Sequence, residues 1–138
     1  MFCTGAASNQ SGRCFEKLYN YQSMTTTTEI GRRAEAAARA YLEMRGFRII
    51  EQNYRRPRCE IDLIASKDDV IHFVEVKYRF DDGQGGGLEA ITSAKLKQMQ
   101  RAAWTWVSEY KWRGEYVLSA MEIAGPGFTV LSFVENVF

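Results

Sequence analysis

Between Glu29 and Arg45 apolar side chains return every three to four positions, at Ile30, Ala34, Ala38, Tyr41 and Leu42, with arginines elsewhere. That period predicts an amphipathic helix, and Gly46 supplies its stop. The rhythm then changes to two. Phe47 to Asn53 is a strand candidate, followed by Tyr54-Arg55-Arg56-Pro57-Arg58-Cys59 as a basic connection in which Pro57 blocks regular pairing. Two more runs of period two, Glu60 to Ala65 and Val70 to Tyr78, flank a polar turn at Ser66-Lys67-Asp68-Asp69 and predict a hairpin. In the first run Glu60 and Asp62 are expected on one face, with Ile61, Leu63 and Ala65 on the other. In the second, Ile71, Phe73, Glu75 and Lys77 share a face.

A second helical period runs from Thr92 to Lys111, with Leu96, Met99, Ala103, Trp106 and Tyr110 on its seam. Glu115 to Ile123 and Phe128 to Val134 are two further strands around the Gly125-Pro126-Gly127 turn. The order is therefore helix, three strands, helix, two strands. It predicts an α/β sandwich in which the first three strands form an antiparallel meander. The crossover helix then lets the fourth strand lie parallel to a neighbour, with helices against the sheet. Met1 to Thr28 lacks a sustained period and is read as an extension, leaving residues 29–138 as a single domain.

Composition narrows the function. With 46% apolar and 13% aromatic residues, 138 residues can bury a real core. No apolar run reaches membrane-spanning length and the N-terminus lacks a secretory layout, so the expected location is cytoplasmic. Cys3, Cys14 and Cys59 have no paired spacing, which argues against a zinc site or a disulfide framework. The single histidine, His72, excludes chemistry built on a histidine pair and is expected to be structural. The formal charge is only +1, yet Arg32, Arg33, Arg39, Arg45, Arg48, Arg55, Arg56 and Arg58 face only Glu35, Glu43 and Glu51. Such a stretch can track phosphates or simply keep a surface solvated.

Acids and a lysine sit where a strand core prefers apolar groups. Asp62 and Glu75, on neighbouring strands, can supply the carboxylates that a hard cation such as Mg²⁺ or Mn²⁺ needs beside water and substrate phosphates. Lys77, one pleat beyond Glu75, can position water, assist its deprotonation or offset charge at phosphorus. Glu60 is a reserve ligand. Glu35 lies on the rim of the first helix's buried stripe, where it can reach such a site or pair with Arg39. Lys95, placed early in the second helix against its dipole, hints at a task near phosphate. Glu109-Tyr110-Lys111 repeats the acid-x-Lys spacing without an acid-bearing strand before it. The segment from Arg79 to Leu88, rich in Gly and Asp, reads equally as a flap over the site or as a plain linker.

Asp62 with Glu75-Val76-Lys77 resembles the PD-(D/E)XK nuclease superfamily, in which an acid on one strand meets acid-x-Lys on the next. From about Glu29 onward the chain also resembles the YraN family. The landmarks are Gly31 with Glu35 and Ala38, Tyr41-Leu42 with Gly46, Asn53-Tyr54-Arg55, Glu60-Ile61-Asp62-Leu63-Ile64, Phe73 to Arg79, Ala90-Ile91-Thr92 with Lys95, and Val134-Glu135-Asn136-Val137-Phe138. The resemblance implies a restriction-endonuclease-like αβββαβ sandwich with one additional C-terminal strand. It also implies similarity to archaeal Holliday-junction resolvases, a DNA substrate that includes branched structures, a homodimer, and no small-molecule cofactor. Its site would comprise Glu35, Asp62, Glu75 and Lys77 around Mg²⁺ or Mn²⁺, with Asp62, Glu75 and Glu35 on the metal. Arg55, Arg56, Arg79 and Lys95 are the expected nucleic-acid contacts. Two departures stand out: Cys59 replaces the family's Gly before Glu-Ile-Asp, and Arg113-Gly114-Glu115 replaces Arg-Phe-Asp.

The leading expectation is a metal-dependent endonuclease. The alternatives are a non-catalytic nucleic-acid-binding module on the same fold, and a protein-partner adaptor if the aromatic second helix is exposed.

Overall fold

A computed structural model of the chain describes residues 26–80 and 91–137. Gly31–Phe138 form one compact unit and Met1–Ile30 the other, of which Thr26–Ile30 are described. The glycine-rich loop expected as a flap or linker falls largely outside the described residues, as does most of the expected N-terminal extension.

Helix α1 spans Thr27–Met44 and starts two residues before the periodicity does. Thr26 explains the earlier start, because its Oγ1 accepts a hydrogen bond from the Glu29 amide at 3.1 Å, satisfying one of the free donors of the first turn. The other end closes as expected at Gly46, whose φ is +85°. The Gly46 amide donates to Glu43 O and the Phe47 amide to Leu42 O, a pairing that needs a left-handed residue between them.

Five strands follow as one mixed sheet in the order β1-β2-β3-β4-β5, namely Arg48–Arg56, Cys59–Lys67, Val70–Arg79, Tyr116–Ala124 and Thr129–Glu135. β1 to β3 form the antiparallel meander, β4 lies parallel to β3, and β5 returns antiparallel along β4. Helix α2, Ser93–Tyr110, makes the crossover. It is capped by Thr92, whose side chain accepts from the Lys95 amide, and by Lys111 in a left-handed conformation.

The two faces of the sheet carry separate cores. On one, Ala34, Ala38 and Leu42 of α1 pack with Phe47, Leu63, Ala65, Val74, Met121 and Ile123. On the other, Met99, Ala102, Ala103 and Trp106 of α2 pack with Ile64, Ile71, Phe73 and Leu118. Phe73 and Val74 therefore face opposite helices, as the pleat requires. Tyr110 departs from the expected seam: it is 56% exposed at the last helical residue and stacks on Trp106 at 4.7 Å.

Two expectations about the strands are corrected. The basic connection is shorter than proposed, because Tyr54, Arg55 and Arg56 continue β1 and pair with Ile61, Glu60 and Cys59. Only Pro57 and Arg58 turn, and Arg58, at φ 65°, takes the left-handed position. Cys59 consequently sits in a strand and is buried with Tyr54 and Ile61, so its side chain fills core instead of obstructing a turn. The second correction concerns alternation in β2. Ile61 packs on the α2 side, whereas Leu63 and Ala65 pack on the α1 side. The break falls at Asp62, beside Asn53 of β1, which is itself left-handed at φ 52°.

Leu42 is fully buried while Leu131 on the edge strand is 43% exposed. Leu42→Ala is expected to cost about 3 kcal/mol in urea denaturation and Leu131→Ala less than about 0.5 kcal/mol; equal losses would contradict the packing of α1 on the sheet.

Candidate active site

The break in alternation marks a fork in the sheet. β2 pairs with β3 from Lys67↔Val70 only as far as Leu63↔Val74. Beyond that point β2 stays with β1 down to Arg56↔Cys59, while β3 stays with β4 up to Arg79↔Ala124. The first residues past the fork are Asp62 and Glu75. Where the ladder stops, a β3 amide loses its strand partner, and Asp62 Oδ2 takes it, accepting from Val76 N at 2.7 Å. A half-buried backbone donor is thus satisfied by a carboxylate in place of a carbonyl.

Glu75 is 4% exposed, and its partners are two ammonium groups. Lys77 Nζ and Lys95 Nζ each lie 3.2 Å from Glu75 Oε1. The first contact follows from the pleat, since residues two apart on β3 share a face. The second comes from the first turn of α2, and Lys95 also lies 3.9 Å from Glu60 Oε1. The Lys95 ammonium is thus placed in the corner that holds Glu75.

Asp62 has less compensation. Burial, then the charge of Glu75, push its carboxyl up from 3.8 to about 7; Glu35 adds to the rise, while the Val76 amide and Lys95 oppose it. Glu35 on α1 is therefore within electrostatic reach of Asp62. Arg39, its alternative partner, bonds Glu43 instead at 3.0 Å.

The donor set suits a hard cation in one respect and limits it in another. Asp62 and Glu75 are oxygen donors held close enough that the charge of Glu75 pushes the Asp62 carboxyl up, which is the setting a divalent ion relieves. Among the described residues, however, no three His, Cys, Asp or Glu side chains converge to enclose an ion. Two carboxylates could hold an ion of the Mg²⁺ kind only in an open site, with water and other oxygen donors supplying the remaining ligands.

The expected phosphate contacts fall into different roles. Arg56 clamps β1 to α2, bonding Glu109 through Nε at 2.7 Å and Nη2 at 2.9 Å while its guanidinium lies 4.4 Å over the Tyr54 ring. That pair also accounts for the second acid-x-Lys tripeptide, whose acid is structural. Arg79 bonds the buried Glu122 at 2.7 Å, and Arg55 is exposed beside Glu60 in the strand register. Glu122 is 6% exposed and lies across from Lys77 on β4, a neighbour fixed by the parallel register and invisible to local sequence. His72 is buried, with Nδ1 3.2 Å from Ser119 Oγ, as expected of a structural residue.

The sequence model of the family described as "Uncharacterised protein family UPF0102" matches residues 34–125, which include Glu35, Glu60, Asp62, Glu75, Lys77 and Lys95. The chain is 41% identical over 83 residues to a UPF0102 protein of Vibrio parahaemolyticus, covering 60% of this chain and 69% of that protein. It is 46% identical over 78 residues to a UPF0102 protein of Chlorobium chlorochromatii, covering 56% and 60%. A UPF0102 protein of Ectopseudomonas mendocina is 33% identical over 117 residues, covering 83% of this chain and 98% of that protein. Among the described residues no helix is long and apolar enough to cross a membrane.

Because the folded protein raises Asp62, ionising this group opposes folding. The penalty is full above pH about 7, shrinks as pH falls, and is gone below the unfolded value of 3.8. Asp62→Asn keeps an oxygen for Val76 and removes the charge. With chelator present, it is expected to stabilise the fold by about 2 kcal/mol at pH 8 and by almost nothing near pH 4. Thermal unfolding across that range checks this, and a loss of stability at pH 8 would contradict it.

Proposed function

The chain belongs to the UPF0102 family, the YraN family of the sequence landmarks, and from that premise we propose that it is a divalent-cation-dependent endonuclease of the PD-(D/E)XK type acting on DNA. The observation that carries this reading is the forked sheet. It sets a strand acid, Asp62, beside the acid-x-Lys row of Glu75 and Lys77, and Asp62 bonds the amide of Val76 between them. A buried acid beside a half-buried one, with a lysine alongside, is a costly arrangement for a merely structural strand end.

Asp62 and Glu75 would hold the cation, Mg²⁺ or Mn²⁺, with Glu35 and Glu60 as outlying acids. When bound, such an ion lowers the pKa of water and draws charge from the phosphate. Lys77, 35% exposed and directed at Glu75, orients the attacking water and offsets negative charge at phosphorus. The water oxygen forms the new bond to phosphorus as an ester P–O bond breaks. The water's proton leaves to solvent, and the departing ester oxygen takes one up. Arg55, exposed beside Glu60, is the backbone contact that positions DNA without reading its bases, whereas Arg79, at the end of the Glu75–Lys77 row, is engaged by Glu122.

A second reading rests on α2. Trp104 is 68% exposed, with Lys97, Gln100 and Arg101 around a shallow cavity of about 430 Å³. An exposed tryptophan on a basic helix face suits a partner surface, and the adaptor reading predicts that Trp104→Ala dissociates a complex while cleavage is absent in every assay.

Linear, nicked, flap and four-way-junction DNA are to be incubated with Mg²⁺ or Mn²⁺ and the wild type, Asp62→Ala or Lys77→Ala. The wild type is expected to cleave, and each substitution to lower turnover by at least about 100-fold with the circular-dichroism spectrum unchanged. Equal cleavage by all three proteins would place the activity elsewhere.

A further inference from the structure

We propose that Lys95 is an internal counter-ion that holds the cation's place at Glu75 and withdraws toward Glu60 when a divalent ion binds. This rests on the cation-dependent reading above and extends it to how the site is kept when empty.

The first observation is crowding. Two ammonium groups, from Lys77 and Lys95, lie 3.2 Å from the same oxygen of one carboxylate. One lysine suffices to pair one carboxylate, so the second answers the charge of the whole corner. That corner holds Glu75, Asp62, Glu60 and, within electrostatic reach, Glu35. The four acids when ionised carry −4 and the two lysines +2, a deficit that a divalent ion would close.

The second observation is origin. Lys77 is tied to Glu75 by the pleat of a single strand, so its proximity survives any change nearby. Lys95 reaches in from another element, at the first turn of α2, where the helix dipole opposes a cation. Its side chain is only 20% exposed, so the stem is enclosed and the ammonium is aimed inward. Nothing local to the helix favours that placement. The acids across the fork do.

The third observation is Glu60. It lies 3.9 Å from Lys95 Nζ, beyond ordinary hydrogen-bond length, and its side chain is 50% exposed. It therefore offers a nearby acid to receive the ammonium without burying it further. A cation at Glu75 and Asp62 repels the Lys95 ammonium, and transfer to Glu60 relieves that repulsion at small cost. The lysine's presence lowers cation affinity, and its removal raises it.

The test is calorimetric titration of the full chain with Mn²⁺ at pH 8 in the absence of DNA. Wild type, Lys95→Gln and Lys97→Gln are compared, Lys97 being exposed on the outer side of the same helix. Lys95→Gln is expected to bind Mn²⁺ about tenfold more tightly than wild type, and Lys97→Gln within about twofold of it. Glu60→Gln is expected to weaken binding more in the wild type than in the Lys95→Gln background, the excess being the part of the effect that passes through the lysine. In thermal unfolding, Lys95→Gln should melt below wild type in chelator and above it in saturating Mn²⁺. If wild type binds Mn²⁺ and Lys95→Gln binds no more tightly, the place-holding role is overturned while the nuclease reading stands. A Glu60→Gln effect equally large without Lys95 overturns the transfer to Glu60. If neither wild type nor Lys95→Gln binds at millimolar Mn²⁺, the cation-dependent reading fails and the inference falls with it.

Discussion

The hydrogen bond from the Val76 amide to Asp62 Oδ2 is the constraint on which both sheet and site depend. Two strands that part inside a fold leave polar edges facing each other, and a buried amide without a partner costs on the order of 1–3 kcal/mol. An apolar residue at position 62 would leave that cost standing. A carboxylate removes it, at the expense of carrying charge into a partly buried place. The same bond therefore keeps the fork open and supplies the acid that makes it chemically useful.

Around the fork the charges divide by task. Arg56 with Glu109 ties the first strand to the second helix, and Arg79 with Glu122 joins the two parallel strands next to Lys77. Other arginines of the basic stretch lie over rings: Arg33 over Phe128 at 4.6 Å and Arg45 over Tyr41 at 4.6 Å. A count of arginines along the chain thus overstates the charge offered to a phosphate backbone. The lysines are employed differently, since Lys77 and Lys95 converge on one acid instead of spreading over a surface.

The helices contribute unequally to this corner. α1 supplies an alanine-rich face that packs on the sheet, and from its rim Glu35 acts on Asp62 through its charge. α2 supplies bulk, through Met99 and Trp106, and brings Lys95 into the site from its first turn. The two layers thus influence one carboxyl group from different elements, Glu35 raising it and Lys95 lowering it.

Period three-to-four and period two were enough to predict, from the chain alone, two helices and five strands, and their order allowed the antiparallel meander and the parallel return of β4. These are local properties: a pleat or a helical turn sorts side chains by their spacing, and Gly46 or Thr92 marks an end by its own backbone chemistry. The acid-x-Lys row was legible for the same reason. What the sequence could not contain is where β2 leaves β3, because the fork lies where apolar alternation continues on paper and Ile61 nonetheless changes sides. Nor could it tell Arg56 from Arg55, place Glu122 beside Lys77, or bring Lys95 to Glu75. Each of those contacts joins residues more than a dozen positions apart, or depends on one that does, and only the closing of helices onto the sheet selects which charges meet.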